Sequence, residues 1–584
     1  MKSLLSVRDL SVSFGSFTAV DHISFDVQPG ETVCLVGESG SGKSVTGKAV
    51  IGLLDESAKQ QGEIWFRGSR MDNASEARMC NIRGGQISMI FQEPMTALNP
   101  SKRVGEQISE MIMLNSQVSR SEARARVIAL LTRVGIPDPK LRERAFPHEL
   151  SGGMRQRVML AIACAAKPAL IIADEPTTAL DVTVQAQVLA LLYDLKKELG
   201  CALIFVTHDL GVVAEIADRV IVLYNGKVVE QGDVKSIFEN AAHPYTKALL
   251  AAAPDVEMPA KKGFRFPTVD KGAIFGEASG DRRTKNNANA SITVSPASDS
   301  ENDSAGPVLE ITDLSRHYVL SAGLLSLKPK ILRAVDGINL TVESGKTCAL
   351  IGESGSGKST LGRCVARLDT PTSGQIRYCG EDVSSIKGKS LFDFRKKVQT
   401  IFQDPYASLN PRRTVGQAIA DGLEIHGIGD AKEREFRVEE LLRRVELDPS
   451  AAKRYPHQFS GGQRQRVAIA RALALEPEFI VADEAVSALD VSVRAQILNL
   501  LADLQAEQGL SFLFITHDLS TVRQFAHRVA IMRFGKIVEE GETEEIFNDP
   551  KSEYTKNLLR AVPRARFDDS RRLNSYTCNS FVDA

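Results

Sequence analysis

The eight residues GESGSGKS stand at 37–44 and again, letter for letter, at 352–359 of a 584-residue chain. A glycine-rich run ending in Gly-Lys-Ser curls backbone N–H groups around phosphates and opens a helix with its positive end toward them. Such a loop needs a buried strand before it and a helix after it. TVCLV (32–36) supplies the strand in the first copy, and a helix is expected from near Gly42. Cys34 and Cys348 each lie in an apolar run just before a loop, where a buried, reduced thiol is expected.

The repeat extends far beyond the loop. Lys43 and Lys358 are 315 residues apart, Gln92 and Gln403 are 311 apart, and the pairs Ser151/Ser460, Glu175/Glu484 and His208/His517 are each 309 apart. A period this long is a duplicated domain rather than a solenoid unit. The length itself exceeds what one core sustains. The reading is therefore a first domain over 1–254, a flexible linker over 255–307, a second domain over 308–563 and a tail over 564–584. DRRTKNNANASITVSPASDSENDSAG, within the linker, is too poor in large apolar residues to offset the cost of ordering.

Within each copy, short apolar runs alternate with helical periods, the pattern of an α/β core. ALIIAD and LIFVTHD read as buried strands, VTVQAQVLALLYDLKKEL between them as a helix, and RVIVLYNGKVVEQG as a hairpin turning at Asn225-Gly226. Val104, Ile108, Met111 and Ile112 share a helical face, as do Val127, Leu130, Leu131 and Val134, which suggests an inserted helical subdomain.

A net charge of −1 gives no general electrostatic reason to bind nucleic acid, and none is expected as a partner. Lys261, Lys262 and Arg265, with the tail arginines Arg564, Arg566, Arg571 and Arg572, read as solvated linker and tail. The start, MKSLLSVRDLSVSF, lacks the apolar core of a signal peptide, and no run approaches the ~20 apolar residues of a membrane-spanning helix. The eight cysteines show neither a C-x-x-C pair nor zinc spacing.

The chemistry converges on a nucleotide. Gly37, Ser39, Gly40 and Gly42 in one loop, and Gly352, Ser354, Gly355 and Gly357 in the other, would cradle phosphates. Lys43 and Lys358 would reach the β and γ phosphates, and Ser44 and Ser359 would hold Mg²⁺. Asp174 and Asp483 end buried strands where a second carboxylate on the Mg²⁺ side is needed. Glu175 and Glu484 follow, placed to polarise an attacking water, although the second acid of such a pair could instead cap the next helix. His208 and His517 stand at the carboxyl ends of strands, where α/β sheets bind ligands.

LSGGMRQRV (150–158) and FSGGQRQRV (459–467) place a second anion-binding helix start in each copy. With the phosphate loops, Gln92 and Gln403, the Asp-Glu pairs, TALD and SALD, and the histidines, they make both halves resemble the ABC ATPases, from Leu5 to about Pro254 and from Leu309 to about Pro563. This resemblance implies two tandem P-loop nucleotide-binding domains, each an α/β core with an antiparallel β subdomain and an inserted helical subdomain. It implies head-to-tail pairing within the chain, each ATP held between the phosphate loop of one domain and the Ser-Gly-Gly of the other. One site would join Lys43, Ser44, Gln92, Asp174, Glu175 and His208 to Ser460 and Gly462. The other would join Lys358, Ser359, Gln403, Asp483, Glu484 and His517 to Ser151 and Gly153. Gln92 and Gln403 would also approach the Mg²⁺. Phe14 and Tyr318 stand where the family stacks an aromatic ring on adenine, though Phe17 could replace Phe14.

FQEPMTALNPSKRVGEQI, FQDPYASLNPRRTVGQAI, HPYTKALLAAAP and SEYTKNLLRAVP are similar to the peptide/nickel branch of ABC importers, here in a fused two-domain form. The resemblance implies an ATPase subunit at the cytoplasmic face of the inner (plasma) membrane, bound peripherally to two transmembrane permease subunits. An extracytoplasmic substrate-binding protein would act indirectly, with cargo of the dipeptide, oligopeptide or glutathione class. The alternative is a soluble tandem ABC ATPase working on ribosomes or DNA. Many members of the branch carry a cysteine cluster resembling an iron–sulfur site after the HPYT segment; residues 255 to 306 contain no cysteine, so none is expected.

Overall fold

The structure is a computed structural model and describes residues 3–178, 180–254, 256–258, 265–269, 274, 306–320, 330–487 and 489–572. The chain divides into two units: residues 1–255 with 561–584, and residues 256–560.

In the first unit a six-stranded sheet runs Lys227–Asp233, Arg219–Tyr224, Thr32–Val36, Ala202–Thr207, Leu170–Asp174, Ile87–Ile90. Only the edge strand Lys227–Asp233 is antiparallel to its neighbour. It pairs through the hairpin whose turn residues, Asn225 and Gly226, have φ of 45° and 78°, the left-handed geometry that such a turn requires. The three central parallel strands, Thr32–Val36, Ala202–Thr207 and Leu170–Asp174, are buried along their whole length, which is why they read as continuous apolar runs rather than alternating ones. A second, antiparallel sheet orders Phe17–Val27, Leu5–Phe14, Ala58–Phe66 and Ser69–Arg70. One apolar core, including Leu5, Leu10, Ile23, Ile64, Leu35, Ile172 and Ile204, joins the two sheets.

Helices Val104–Asn115, Arg120–Arg133 and Gly152–Cys164 pack on one another as the inserted subdomain. Of the residues expected on their inner faces, Val104, Ile108, Ile112, Val127, Leu131 and Val134 are buried, while Met111 and Leu130 are half-buried at the margin. Helix Val182–Leu199 follows the expected segment residue for residue and is closed by Gly200 at φ 64°.

The second unit repeats the plan. Its main sheet orders Val398–Ile401, Phe479–Asp483, Ser511–Thr516, Thr347–Ile351, Arg528–Arg533 and Lys536–Glu542. Its antiparallel sheet orders Lys330–Val342, Leu309–Leu320, Ser373–Tyr378 and Glu381–Asp382. Cys34 and Cys348 are buried as expected, and burial pushes the Cys348 thiol up to about 12.

Part of the stretch read as linker and part of the tail make defined contacts. In the second unit, Asn499 exchanges two hydrogen bonds with the backbone of Phe266, at 2.9 and 2.8 Å, and Phe266 is buried. Arg265 pairs with Asp503. In the first unit, Arg572 donates to Ala217 O at 2.7 Å and pairs with Asp218 at 3.1 Å. Arg572, read as solvated tail, is thus largely buried against a carboxylate far away in sequence, whereas Arg265 pairs with one while staying mostly exposed, as expected. The Ser- and Asn-rich stretch between 275 and 305 and residues 573–584 lie outside the described residues.

Candidate active site

In the first unit four parallel strands end on one side of the sheet, and each delivers a candidate functional residue from the loop that follows it. Thr32–Val36 leads into the phosphate loop, Leu170–Asp174 into Glu175, Ala202–Thr207 into His208, and Ile87–Ile90 into Gln92. Parallel strand direction alone brings residues separated by as many as 171 positions (37 to 208) to one edge.

The loop is shaped by glycine. Gly37 and Gly42 have φ of 155° and 95°, and a Cβ on Gly42 would lie 2.5 Å from Ala19 O. A Cβ on Gly37 would collide with Leu223 O. Gly352 and Gly357 repeat this at φ 155° and 107°, against Met532 O and Ala334 O. Gly40 and Gly355 sit at φ 79° and 81° in open space, so there the requirement is conformational rather than steric. Ser39 and Ser354 are exposed at the loop tips. The buried Lys43 ammonium donates to the carbonyls of Gly37 and Glu38, both at 2.7 Å, and Lys358 does the same to Gly352 and Glu353 at 2.7 and 2.8 Å.

Ser44 Oγ donates to Asp174 Oδ1 at 2.7 Å, and Ser359 Oγ to Asp483 Oδ1 at 3.0 Å. Burial pushes both aspartates above the usual carboxylate range; the serine bond opposes this, and the adjacent glutamate charge adds to it. The glutamates behave in the opposite way. Burial would raise Glu175 as well, but the hydrogen bond and charge of His208, 3.2 Å away, together with Thr178, hold it below its ordinary value. Glu484 is held down in the same manner by His517 at 3.4 Å. Gln92 Nε2 donates to Glu175 Oε2 at 3.0 Å, and Gln403 to Glu484 Oε2 at 2.7 Å. Two neighbouring acids therefore divide their work: one is buried beside a hydroxyl, the other stays ionised in a cage of donors.

Three features escape sequence reasoning. Glu175 and Glu484 adopt left-handed backbone, φ 45° and 48°, while their N–H groups donate to Val206 and Ile515 on the adjacent strand. This turns the glutamate side chain out of the sheet and toward the histidine, at a strain of about 1 kcal/mol or more for a non-glycine residue. Thr178 Oγ1 donates to Glu175 Oε2 at 2.9 Å, and a hydroxyl three residues after each glutamate (Thr178, Ser487) was the available signal. The third is the support of Tyr318, whose hydroxyl donates to an Asp369 carboxylate that Arg316 also grips.

Ser151 and Ser460 cap the helices Gly152–Cys164 and Gly461–Leu473 by accepting from Met154 N and Gln463 N. In the second unit Gln463 also accepts from Ser460 N at 3.1 Å, a reciprocal pair that Met154 cannot make. A Cβ on Gly153 would press Val184 at 2.8 Å, and one on Gly462 would collide with Val493, so each glycine lets its helix approach the next. Phe14 is half-buried against the core, whereas Phe17 is 62% exposed.

Sequence comparison fixes the family. An ABC transporter model matches residues 20–178 and 335–487, which take in the phosphate loop, the glutamine and the Asp-Glu pair of each unit and end before His208 and His517. The chain belongs to the ABC transporter family. Its two units are tandem ATP-binding ATPase domains of that family. A second model, the C-terminal region of oligopeptide/dipeptide transporters, matches 229–270 and 538–578. The match tells against a ribosome- or DNA-directed member. The peptidoglycan transport ATP-binding protein YejF of Agrobacterium fabrum is 46% identical over 96% of each chain. The glutathione import ATP-binding protein GsiA of Salmonella paratyphi A is 46% identical over 97% of this chain and 90% of its own. That of Pectobacterium atrosepticum is 46% identical over 98% and 91%. Among the described residues no helix of this ABC ATPase is long and apolar enough to cross a membrane.

Proposed function

We propose that this chain is the ATP-hydrolysing subunit of a membrane importer of small peptides, of the dipeptide, oligopeptide or glutathione class. The observation that carries the reading is the transporter C-terminal match following each of two complete catalytic clusters. It works with two permease subunits and, through them, an extracytoplasmic binding protein, from the cytoplasmic face of the membrane. Each ATP lies between the phosphate loop of one unit and the Ser-Gly-Gly of the other, so the chain supplies both halves of both sites.

Lys43 and Lys358 neutralise the β and γ phosphates. Glu175 and Glu484, kept ionised by their histidines, orient and deprotonate the attacking water; Gln92 and Gln403, bonded to those carboxylates, pass closure on to the permease. The donor set suits Mg²⁺: a serine hydroxyl beside a buried aspartate offers hard oxygen ligands, and phosphates complete the shell. Ser44 with Asp174, and Ser359 with Asp483, would hold the ion, which would neutralise charge on the transferring phosphoryl group; Gln92 and Gln403 would approach it as well.

The test is uptake of labelled glutathione, with unlabelled dipeptides and longer peptides as competitors. Cells carry wild type or the Lys43→Ala/Lys358→Ala chain. Loss of one of these fluxes supports the reading, and the competition pattern names the cargo. Unchanged fluxes for all of them would sink it.

A further inference from the structure

The two units differ in what stands around the ring expected to meet adenine. In the second unit the Tyr318 hydroxyl donates to Asp369 Oδ2 at 2.5 Å. Arg316 grips the same carboxylate, Nη2 to Oδ1 at 2.8 Å and Nε to Oδ2 at 3.2 Å. Its guanidinium carbon lies 4.5 Å from the Tyr318 ring centroid, within cation–π range. Asp369 Oδ1 also accepts from Thr370 N at 2.8 Å, so both carboxylate oxygens are engaged.

This cluster is tied to the phosphate loop from two sides. Asp369 follows the helix Lys358–Val365 that the loop opens, and its N–H donates to Arg363 O at 3.1 Å. Tyr318 is paired across the hairpin with Leu332, two residues before Ala334, whose carbonyl abuts Gly357 of the loop. Ring and loop are thus fixed to one another by a strand on one side and by Asp369 on the other.

The first unit lacks all three groups. Leu5 aligns with Leu309 at an offset of 304, which places Phe14 opposite Tyr318 and Val12 opposite Arg316; the loop offset of 315 places Leu54 opposite Asp369. Phe14 and Leu54 rest half-buried on the apolar core, and Val12 is fully buried. The ring there is held by non-directional contacts alone.

We propose that Asp369 and Arg316 are positioning residues that lock the Tyr318 ring beside the second phosphate loop, so that the second site binds the base of ATP more tightly than the first. The proposal rests on the ATPase reading above. A ring already fixed in place loses less freedom when a base stacks on it, and that difference appears as affinity.

The test uses the full chain with Lys43→Ala, so that binding reports the second site, and two probes: Mg·ATP and Mg·tripolyphosphate, which has no base. Asp369→Leu, the first unit's residue, is expected to weaken Mg·ATP about 5- to 10-fold, the scale of one ordinary hydrogen bond, and to leave tripolyphosphate unchanged. Arg316→Val should act in the same direction but less strongly, and Asp369→Asn, which keeps an acceptor for the hydroxyl, should restore part of the loss. Adding Asp369→Leu to Tyr318→Ala should change nothing further, because the carboxylate acts through the ring. In the mirror chain carrying Lys358→Ala, the first site should bind Mg·ATP more weakly than the second. Should Asp369→Leu not fold, Tyr318→Phe removes the same bond and is expected to weaken Mg·ATP alone. Equal weakening of both probes would make Asp369 a scaffold of the phosphate loop and overturn the proposal. So would an unchanged Mg·ATP affinity in Asp369→Leu. If Tyr318→Ala leaves Mg·ATP unaffected in the Lys43→Ala chain while adding Lys358→Ala to that chain abolishes binding of both probes, the proposal fails and the ATPase reading stands.

Discussion

The proposed general bases give the sharpest perturbation. Glu175→Gln keeps the side-chain volume and replaces one oxygen by an NH₂ group. Oε2 accepts from Gln92 at 3.0 Å and from Thr178 at 2.9 Å, so the amide must keep its oxygen on that side. Its NH₂ then faces His208 Nδ1, 3.2 Å away, which can accept from it. The cage survives and only the charge and the basicity are lost, so the variant should fold and bind Mg·ATP as wild type does. Removing a general base costs roughly 10²- to 10⁴-fold, or about 3–5 kcal/mol of barrier. Glu484 keeps the glutamine and histidine partners of that cage, while Ser487 donates to its backbone carbonyl, and the same logic applies. If both sites hydrolyse, phosphate release at saturating Mg·ATP should fall at least about two-fold in each single variant, and about 10²-fold or more in Glu175→Gln/Glu484→Gln. A single variant with full turnover would refute the assignment of two working sites, leaving that site as a regulatory binder.

Other expectations follow from the same geometry. Thr178→Val removes one donor to Glu175 while keeping shape, and should lower kcat about three-fold with KM unchanged, as the loss of one modest hydrogen bond implies. Gly40→Ala places a methyl group in open space at φ 79° and should cost about 1–2 kcal/mol; Gly42→Ala adds a clash with Ala19 O, so nucleotide affinity should fall further than in Gly40→Ala. Titration calorimetry of both variants checks the order. Asp518→Ala should destabilise the second unit by about 3 kcal/mol, because it strands Arg494, its partner at 2.6 Å, and uncaps the helix Leu519–Phe525. Burial alone would raise the Asp518 carboxyl, yet Arg494 and Thr521 hold it below the usual range. Its stabilisation is therefore present above the ordinary aspartate value near ~3.9 and lost as pH falls below it, so the gap between wild type and variant in calorimetric scans should close in acid.

What the sequence makes legible is what local rules determine. A buried parallel strand needs an apolar run, a phosphate loop needs glycine where φ is positive, and a hairpin such as Asn225-Gly226 needs a left-handed turn; each is written within ten residues. Convergence of the site is also legible at one remove, since parallel strands must end on the same side. The rest depends on pairs that no short window contains. Asp369 meets Tyr318 across 51 residues, Asn499 meets Phe266 across 233, and Arg572 meets Ala217 across 355. None of the six is marked by periodicity or composition, because a polar side chain that will be half-buried and satisfied looks in sequence like one that will be solvated. Duplication partly removes this blindness. The same fold built twice from different residues is a natural substitution experiment, and where the copies agree (serine to aspartate, histidine and glutamine to glutamate) the geometry is constrained by a shared chemistry. Where they differ, as at Phe14 and Leu54 against Tyr318 and Asp369, the fold tolerates both, so the difference is free to set how tightly each site holds its nucleotide.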